Sequence, residues 1–257
     1  MKIFYFTATG NSLYIAKRIG GELCSIPQML KDGTSEFEDE EIGFIFPCYG
    51  FAPPRIVMNF IQKSKFKANY FFAVMTYGNK AASGLGYMEK IGKQAGIRFN
   101  YTNEVLMIDN YLPVFKIEDQ LNKENSKKTE EKLEKIVSDI KNKKNELAKK
   151  GVVSDALSKA IPKLITKIHL NEGDKRFIVG DNCNSCKVCE KVCPINNIKV
   201  NRKPEYLHQC EGCFACIHHC PQTAIHFKFE RSNTRFINRN VKLKEIIDAN
   251  NQSNTRS

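Results

Sequence analysis

Two runs of cysteine constrain this chain more than anything else in it. "CNSCKVCEKVCP", Cys183 to Pro194, returns 27 residues later as "CEGCFACIHHCP", Cys210 to Pro221. Both have the form C-x2-C-x2-C-x3-C-P, and together they hold 8 of the 10 cysteines. Short x2 spacings wrap three thiolates around one inorganic core, and the proline after the fourth cysteine turns the chain away. The same shift aligns Ile198 and Val200 with Ile225 and Phe227, the apolar alternation of a short strand. Val188, Val192, Phe214 and Ile217 stand between the cysteines, where they would keep water from whatever the thiolates hold. Zinc knuckles and disulfides are the alternatives. A zinc site pairs two C-x2-C elements across a longer gap and does not need three ligands in seven residues. His208, His218, His219 and His226 flank the runs and read as packing or surface residues, because four cysteines complete each set.

The spacing resembles bacterial two-cluster ferredoxins, in which the fourth cysteine of each run ligates the other cluster. That resemblance implies two [4Fe-4S] clusters. One is held by Cys183, Cys186, Cys189 and Cys220, the other by Cys210, Cys213, Cys216 and Cys193. It also implies a small α+β ferredoxin domain over 176–230.

About 175 residues precede that module, enough for a second domain. The chain opens with an apolar run, Ile3 to Phe6, a polar turn "TATGNS", and a helix with Leu13, Ile15, Ala16 and Ile19 on its buried side. Gly20 and Gly21 end that helix. A strand, a glycine-containing turn and a helix aim amide N–H groups and the positive end of the helix at one point, which makes an anion site. The turn is neither a Walker A loop nor G-x-G-x-x-G, so a monophosphate suits it better than a nucleoside triphosphate. Further buried runs, Ile42 to Phe46 and Tyr70 to Met75, end in aromatic, glycine-bearing loops. A fourth, "NEVLMIDNYLP", ends in Tyr111 and Pro113. Helical segments separate the runs, which predicts parallel strands and a ligand beyond their carboxyl ends.

Here "TATGNS" is similar to the phosphate loop of flavodoxins, and the loops at Pro47–Pro54 and Thr76–Asn79 lie where that family binds the flavin ring. The resemblance covers 1–150. It implies a doubly wound α/β domain with a five-stranded parallel sheet in the order 2-1-3-4-5. It also implies flavin mononucleotide (FMN). Thr7, Thr9, Gly10, Asn11 and Ser12 would take the phosphate. Pro47, Tyr49, Gly50 and Phe51 would flank one side of the ring, and Thr76, Tyr77, Gly78 and Asn79 the other. The chain has no Trp, so stacking falls to Tyr49, Phe51 or Tyr77. Cys48 reads as a small apolar filler and Cys24 as a buried strand residue.

Between the two regions, "KKTEEKLEKIVSDIKNKKNELAKK" places Leu133, Ile136, Val137, Ile140 and Leu147 at helical spacing. A second, weaker helix is expected over the connector 151–175, through Leu157, Ile161, Leu164, Ile165 and Ile168, with a kink at Pro162. The tail 231–257 is expected to add a short helix near Val241–Ile247 and to end in disorder over "NNQSNTRS".

The formal charge is +12. Two clusters near −2 each and a flavin phosphate near −2 would bring it to roughly +6. The remaining basicity suits a solvated surface or an acidic redox partner, and no nucleic-acid motif is visible. No apolar run approaches the roughly 18–20 residues of a membrane span, and no cleavable leader is apparent, so the expected location is the cytoplasm.

The two resemblances together describe a flavodoxin–ferredoxin fusion, an electron carrier moving electrons between flavin, clusters and a protein partner. No acid–base constellation stands out, and no catalytic residue is assigned. The alternative is a flavin-dependent reductase of a quinone, a nitro compound or oxygen. A redox sensor that acts by binding a partner is a third reading. No nicotinamide fingerprint is present.

Overall fold

Five strands, all parallel, form the central sheet: β1 (Lys2–Tyr5), β2 (Glu22–Ser25), β4 (Glu41–Pro47), β6 (Tyr70–Tyr77) and β7 (Tyr101–Leu106). In this computed structural model, which describes residues 1–148 and 173–253, their spatial order is β2-β1-β4-β6-β7. Counted along the chain as sheet strands, that is 2-1-3-4-5, the doubly wound order of the flavodoxin-like α/β fold. Side chains alternate between two cores because successive strand residues point to opposite faces. Phe4, Phe6, Phe44 and Phe46 enter one core with helices α2 (Ile26–Asp32), α3 (Arg55–Lys63) and α4 (Gly84–Gln94). Ile3, Tyr5 and Ile45 enter the other with α1 (Asn11–Ile19) and α5 (Thr129–Lys141). Helices on both faces explain why these strands read as continuous apolar runs.

The expected α1 face is confirmed: Leu13, Ile15, Ala16 and Ile19 are buried, and Gly20 caps the end at φ 85°. Cys24 is buried in β2. The long helix expected over 127–150 is shorter. It stops at Lys141, and Lys143 takes a left-handed φ of 49°. The chain then runs back beside β7, with Thr102 N donating to Glu146 O at 3.0 Å. Leu133, Ile136 and Ile140 are buried as expected, but Leu147 is exposed. One feature escaped the sequence reading. β3 (Glu36–Glu38) and β5 (Lys65–Lys67) make a separate parallel pair, laced by Lys65–Glu36 at 2.8 Å and Lys67–Glu38 at 2.5 Å. Their alternation is only three residues long and its outward positions are fully charged. The expected connector helix and its Pro162 kink lie outside the described residues.

The cysteine-rich segment forms two antiparallel strand pairs, β8 (Phe177–Val179) with β11 (Ile225–Phe227), and β9 (Ile198–Val200) with β10 (Pro204–Tyr206). The 27-residue repeat is written in its backbone as well as its sequence. Short helices start at Val188 and at Ala215. Left-handed φ values recur at Ser185 and Gly212, at Lys187 and Phe214, and at Asn196 and Thr223. Such values are uncommon for residues other than glycine. Their exact recurrence at bulky positions means each loop is held to the same unusual curve.

This segment sits over the carboxyl ends of the sheet strands, held by polar contacts. His218 Nε2–H donates to Asn110 O at 2.9 Å, and His219 Nε2–H donates to Ala8 O at 2.9 Å. Both histidines are buried, so of surface and packing it is packing that holds for this pair. They join the cysteine segment to loops that follow β1 and β7. The C-terminal helix, Leu243–Asn250, starts two residues into the expected Val241–Ile247 region and overlaps its remainder, and it packs on α2 and on the helix Val188–Lys191. The expectation of disorder over 250–257 fails for 250–253, and 254–257 lie outside the described residues. Asn250 is fully buried, and Asn251 O and Ser253 O accept hydrogen bonds from Gln28 and Lys31.

Candidate functional site

Three loops leave the sheet at its carboxyl edge and enclose a cavity of about 800 Å³ with the cysteine segment. The first loop follows β1. Thr7 Oγ1 accepts from Gly10 N at 3.1 Å, closing the turn, and Asn110 Nδ2 donates to Thr9 Oγ1. No side chain caps α1, so its first-turn amides have no side-chain oxygen in front of them. That is the arrangement in which a helix N-terminus accepts a phosphate. Thr7, Thr9, Asn11 and Ser12 line the cavity; Gly10 does not. Gly10 takes φ 101°, and a Cβ there would lie 2.9 Å from the Cβ of Asn238. Its role is to make the turn and to let the C-terminal segment approach.

The second loop follows β4. Tyr49 and Ala52 exchange backbone hydrogen bonds of 2.9 and 3.2 Å, so Gly50 and Phe51 form a two-residue turn with φ 55° and 69°. A left-handed Phe is strained, and strain of this kind concentrates where a loop is shaped for a ligand. Pro47, Tyr49, Gly50 and Phe51 all line the cavity. Cys48 lies in the same wall, packed against the core, with burial pushing its thiol up to about 12. It is a filler, as read from the sequence. Thr76 and Tyr77 at the end of β6 and Gly78 and Asn79 of the third loop, which follows it, add to the lining. Thr76 Oγ1 and Ser12 Oγ lie 3.1 Å apart, joining the end of β6 to the start of α1.

Of the remaining walls, the loop ending in Tyr111 was read from sequence to lie at this edge, and the cysteine segment was not. Ile108 to Tyr111 come from the loop after β7. Arg176, Phe177, Glu211, Cys213 and Phe214 come from the cysteine segment. Their one sequence signal was proximity to a cysteine. Glu211 is buried, and Arg55 Nε lies 3.7 Å from it, while the first amide pair of α3 is met at Ile56 N, which donates to Glu211 Oε1 at 3.1 Å. A carboxylate at a helix N-terminus is stabilising, and this one comes from the residue between two cysteines of a run.

The thiols fall into two groups by their electrostatic influence on one buried member of each. Burial pushes Cys189 up to about 12, and Cys220, Cys186 and Cys183 are the thiols that act on it electrostatically. Burial likewise pushes Cys216 well up, with Cys210, Cys213 and Cys193 the nearest thiol influences and Cys189 after them. Backbone amides point at sulfur in repeat-related places. Asn197 N donates to Cys193 Sγ at 3.3 Å, and Ala224 N donates to Cys220 Sγ at 3.2 Å. Among the described residues no three His, Cys, Asp or Glu side chains converge closely enough to hold a single metal ion. Cys186 is exposed, whereas Cys210, Cys216 and Cys193 are buried and Cys213 lines the cavity.

No family model matches this chain, and no curated protein does. Among the solved structures that match part of this chain are two of low similarity. The two-electron reduced flavodoxin of Megasphaera elsdenii is 16% identical, covering 44% of this chain and 90% of its own, with a TM-score of 0.33. The Trp repressor binding protein of Bacillus subtilis is 14% identical, covering 54% of this chain and 95% of its own, also at 0.33. The fold assignment rests on the sheet order described above. Among the described residues no helix is long and apolar enough to cross a membrane.

Proposed function

We propose that this chain is an electron-transfer protein, with FMN in the cavity and one [4Fe-4S] cluster in each cysteine set. The observation that carries the reading is that Cys213 and Phe214 line the same cavity as the three sheet loops. The residues fit both groups. The uncapped start of α1, with Thr7, Thr9, Asn11 and Ser12 around it, suits a phosphate. Apolar and aromatic walls beyond it suit a flat ring system. Thiols grouped in fours around a buried member, with amide donors on sulfur, suit thiolate-held clusters, since metal binding replaces the thiol protons. A cubane is wider than a single ion, so its thiolates need not converge as zinc ligands do.

Bound FMN takes up two electrons and gives them up singly, and each cluster passes one. The chain's own residues set the order of the path. The set Cys193, Cys210, Cys213 and Cys216 stands against the cavity and is proximal. The set Cys183, Cys186, Cys189 and Cys220 reaches the surface at Cys186 and is distal. Ser185 donates a hydrogen bond to Arg202 O beside that exit, and Lys187, Arg202 and Lys203 are exposed there. That charge favours an acidic protein partner.

A flavin-dependent reductase is the second reading. It is favoured by a polar groove of about 470 Å³ that shares Gly78, Asn79, Val114 and Phe115 with the cavity and would admit a small substrate. The first experiment is purification without oxygen, counting iron, acid-labile sulfide and flavin per chain. About eight irons and one FMN support the carrier. Eight irons without flavin would remove its first component. Sustained turnover of a quinone or nitro compound at rates matching those with protein acceptors would favour the reductase.

A further inference from the structure

The C-terminal segment crosses the outer side of the phosphate-loop candidate and touches it at its tightest point. Asn238 N donates to Thr9 O at 2.8 Å, and Asn238 Nδ2 donates to Asn11 Oδ1 at 3.0 Å. Asn238 Oδ1 accepts from Asn240 N at 3.0 Å, so the side chain is fixed at both ends. Its donation to Asn11 leaves Asn11 Nδ2 to donate to Ile108 O at 3.3 Å. Asn238 therefore decides which way the Asn11 amide faces, and Asn11 is the first residue of α1 and a wall of the cavity. Val241 closes the same surface. A Cβ built on Gly10 would meet its Cβ at 3.1 Å. The segment is anchored beyond the loop by Asn250, whose buried Nδ2 donates to Thr7 O at 2.9 Å and to Val192 O at 3.3 Å.

We infer that Asn238 is a positioning residue for phosphate binding: the loop is completed from outside by a strap some 230 residues away in sequence. The inference rests on the FMN reading above. The strap does not touch the cavity. It acts by holding Thr9 and Asn11 in the geometry that presents the first amides of α1. A loop held in advance binds without paying ordering entropy at that moment, which raises affinity. The effect is confined to ligands that carry the phosphate, because the strap contacts neither ring loop.

Comparing FMN with riboflavin, which lacks the phosphate, separates this role from scaffolding. Apo-protein is titrated with each flavin, following the quenching of flavin fluorescence, for wild type, Asn238→Ala and Asn238→Asp. Asn238→Asp keeps the acceptor for Asn240 N, so the strap turn survives, but it sets an oxygen against Asn11 Oδ1. The expected result is an FMN dissociation constant raised about 10-fold in both variants, with riboflavin changed less than about twofold. Equal weakening of both flavins would make the strap mere scaffolding and overturn the inference. Unchanged affinity for both would overturn it as well. A wild-type protein that binds riboflavin but gains nothing from the phosphate would leave the cavity a flavin site and sink the strap's role. One that binds neither would sink the FMN reading and the inference with it.

Discussion

The two cysteine loops have one spacing, one backbone curve and two surroundings. Both start a short helix after a left-handed residue, Lys187 in one and Phe214 in the other. Both aim an amide at the sulfur of the final cysteine. Yet the loop at Cys210–Cys220 is pressed against the sheet loops through Glu211, His218 and His219, whereas the loop at Cys183–Cys193 carries the exposed Cys186. The difference teaches that the repeat specifies how a loop wraps, while what fills the positions between cysteines specifies what the loop meets. Glu211, His218 and His219 occupy places that Asn184, Lys191 and Val192 hold in the other copy.

The largest effect comes from removing one cysteine from each set. In holoprotein prepared without oxygen, Cys213→Ser and Cys186→Ser each lose about four of about eight irons. Both stop delivery to an external acceptor. Only Cys213→Ser also stops electron exchange between flavin and the remaining cluster, as followed by anaerobic stopped-flow absorbance. If Cys186→Ser blocks that exchange too, the proximal and distal labels are wrong.

Next come the ion pairs at the two ends. Arg55 Nη2 donates to Cys210 O at 2.6 Å and stands beside buried Glu211, whose carboxyl is pushed up by burial against the opposing pull of Arg55. Arg55→Leu leaves that carboxylate facing a helix end alone and is expected to cost about 2–3 kcal/mol in urea unfolding. At the distal end Lys203 meets Asp181 at 2.8 Å, with the aspartate fully in solvent. Lys203→Leu is expected to leave unfolding stability unchanged within measurement error. Equal costs would mean that the two ends are held alike.

A smaller effect is a pH slope. Burial alone would raise the carboxyl of Glu230, but the amide of Phe227, then His226 and Arg235, outweigh it and hold it below its usual 4.5. A carboxyl lowered by folding adds stability that is complete above the usual value and is lost as pH falls through the folded one. Glu230 ties the end of β11, next to the distal set, to Arg235 at 2.9 Å. Unfolding free energy should thus fall less steeply below pH 4.5 in Glu230→Gln than in wild type. Parallel slopes in the two proteins would remove Glu230 from the account.

How far the sequence carried depended on whether a feature was local. The central strands, the α1 face and the cysteine repeat are written in adjacent residues, and each was legible. So were the three sheet loops, because a parallel sheet delivers its loops to one edge. The fourth wall was not. Arg176 and Phe214 reach the cavity only because the cysteine segment folds back over the sheet, and no periodicity encodes that docking. His218 and His219 looked like bystanders because their partners are carbonyls of Asn110 and Ala8, more than a hundred residues away. Asn250 opened a stretch whose polar composition suggested disorder, and Asn238 lay in a tail with no pattern beyond one short helix. Buried side-chain amides paired with backbone are polar in sequence and interior in structure, so composition alone misplaces them.

The smallest effect concerns the cavity itself and asks whether its charge sets the flow towards the proximal set. Lys80 is exposed at the end of the third loop and lines the cavity mouth. A positive charge there favours added electrons on a bound ring, and a negative one opposes them. Reversing one exposed charge within about 8 Å changes the energy by roughly 1 kcal/mol in a water-like dielectric. Salt then screens part of that. Lys80→Glu is therefore expected to lower the flavin midpoint potential by a few tens of millivolts, roughly, while the two cluster potentials hardly move. The check is a spectroelectrochemical titration of both proteins at low and high salt. A cluster potential that shifts as much as the flavin's would show the field of Lys80 reaching past the cavity wall, and the proximal set would then lie no deeper than the ring. A flavin shift that survives high salt would place Lys80 closer to the ring than its exposure implies.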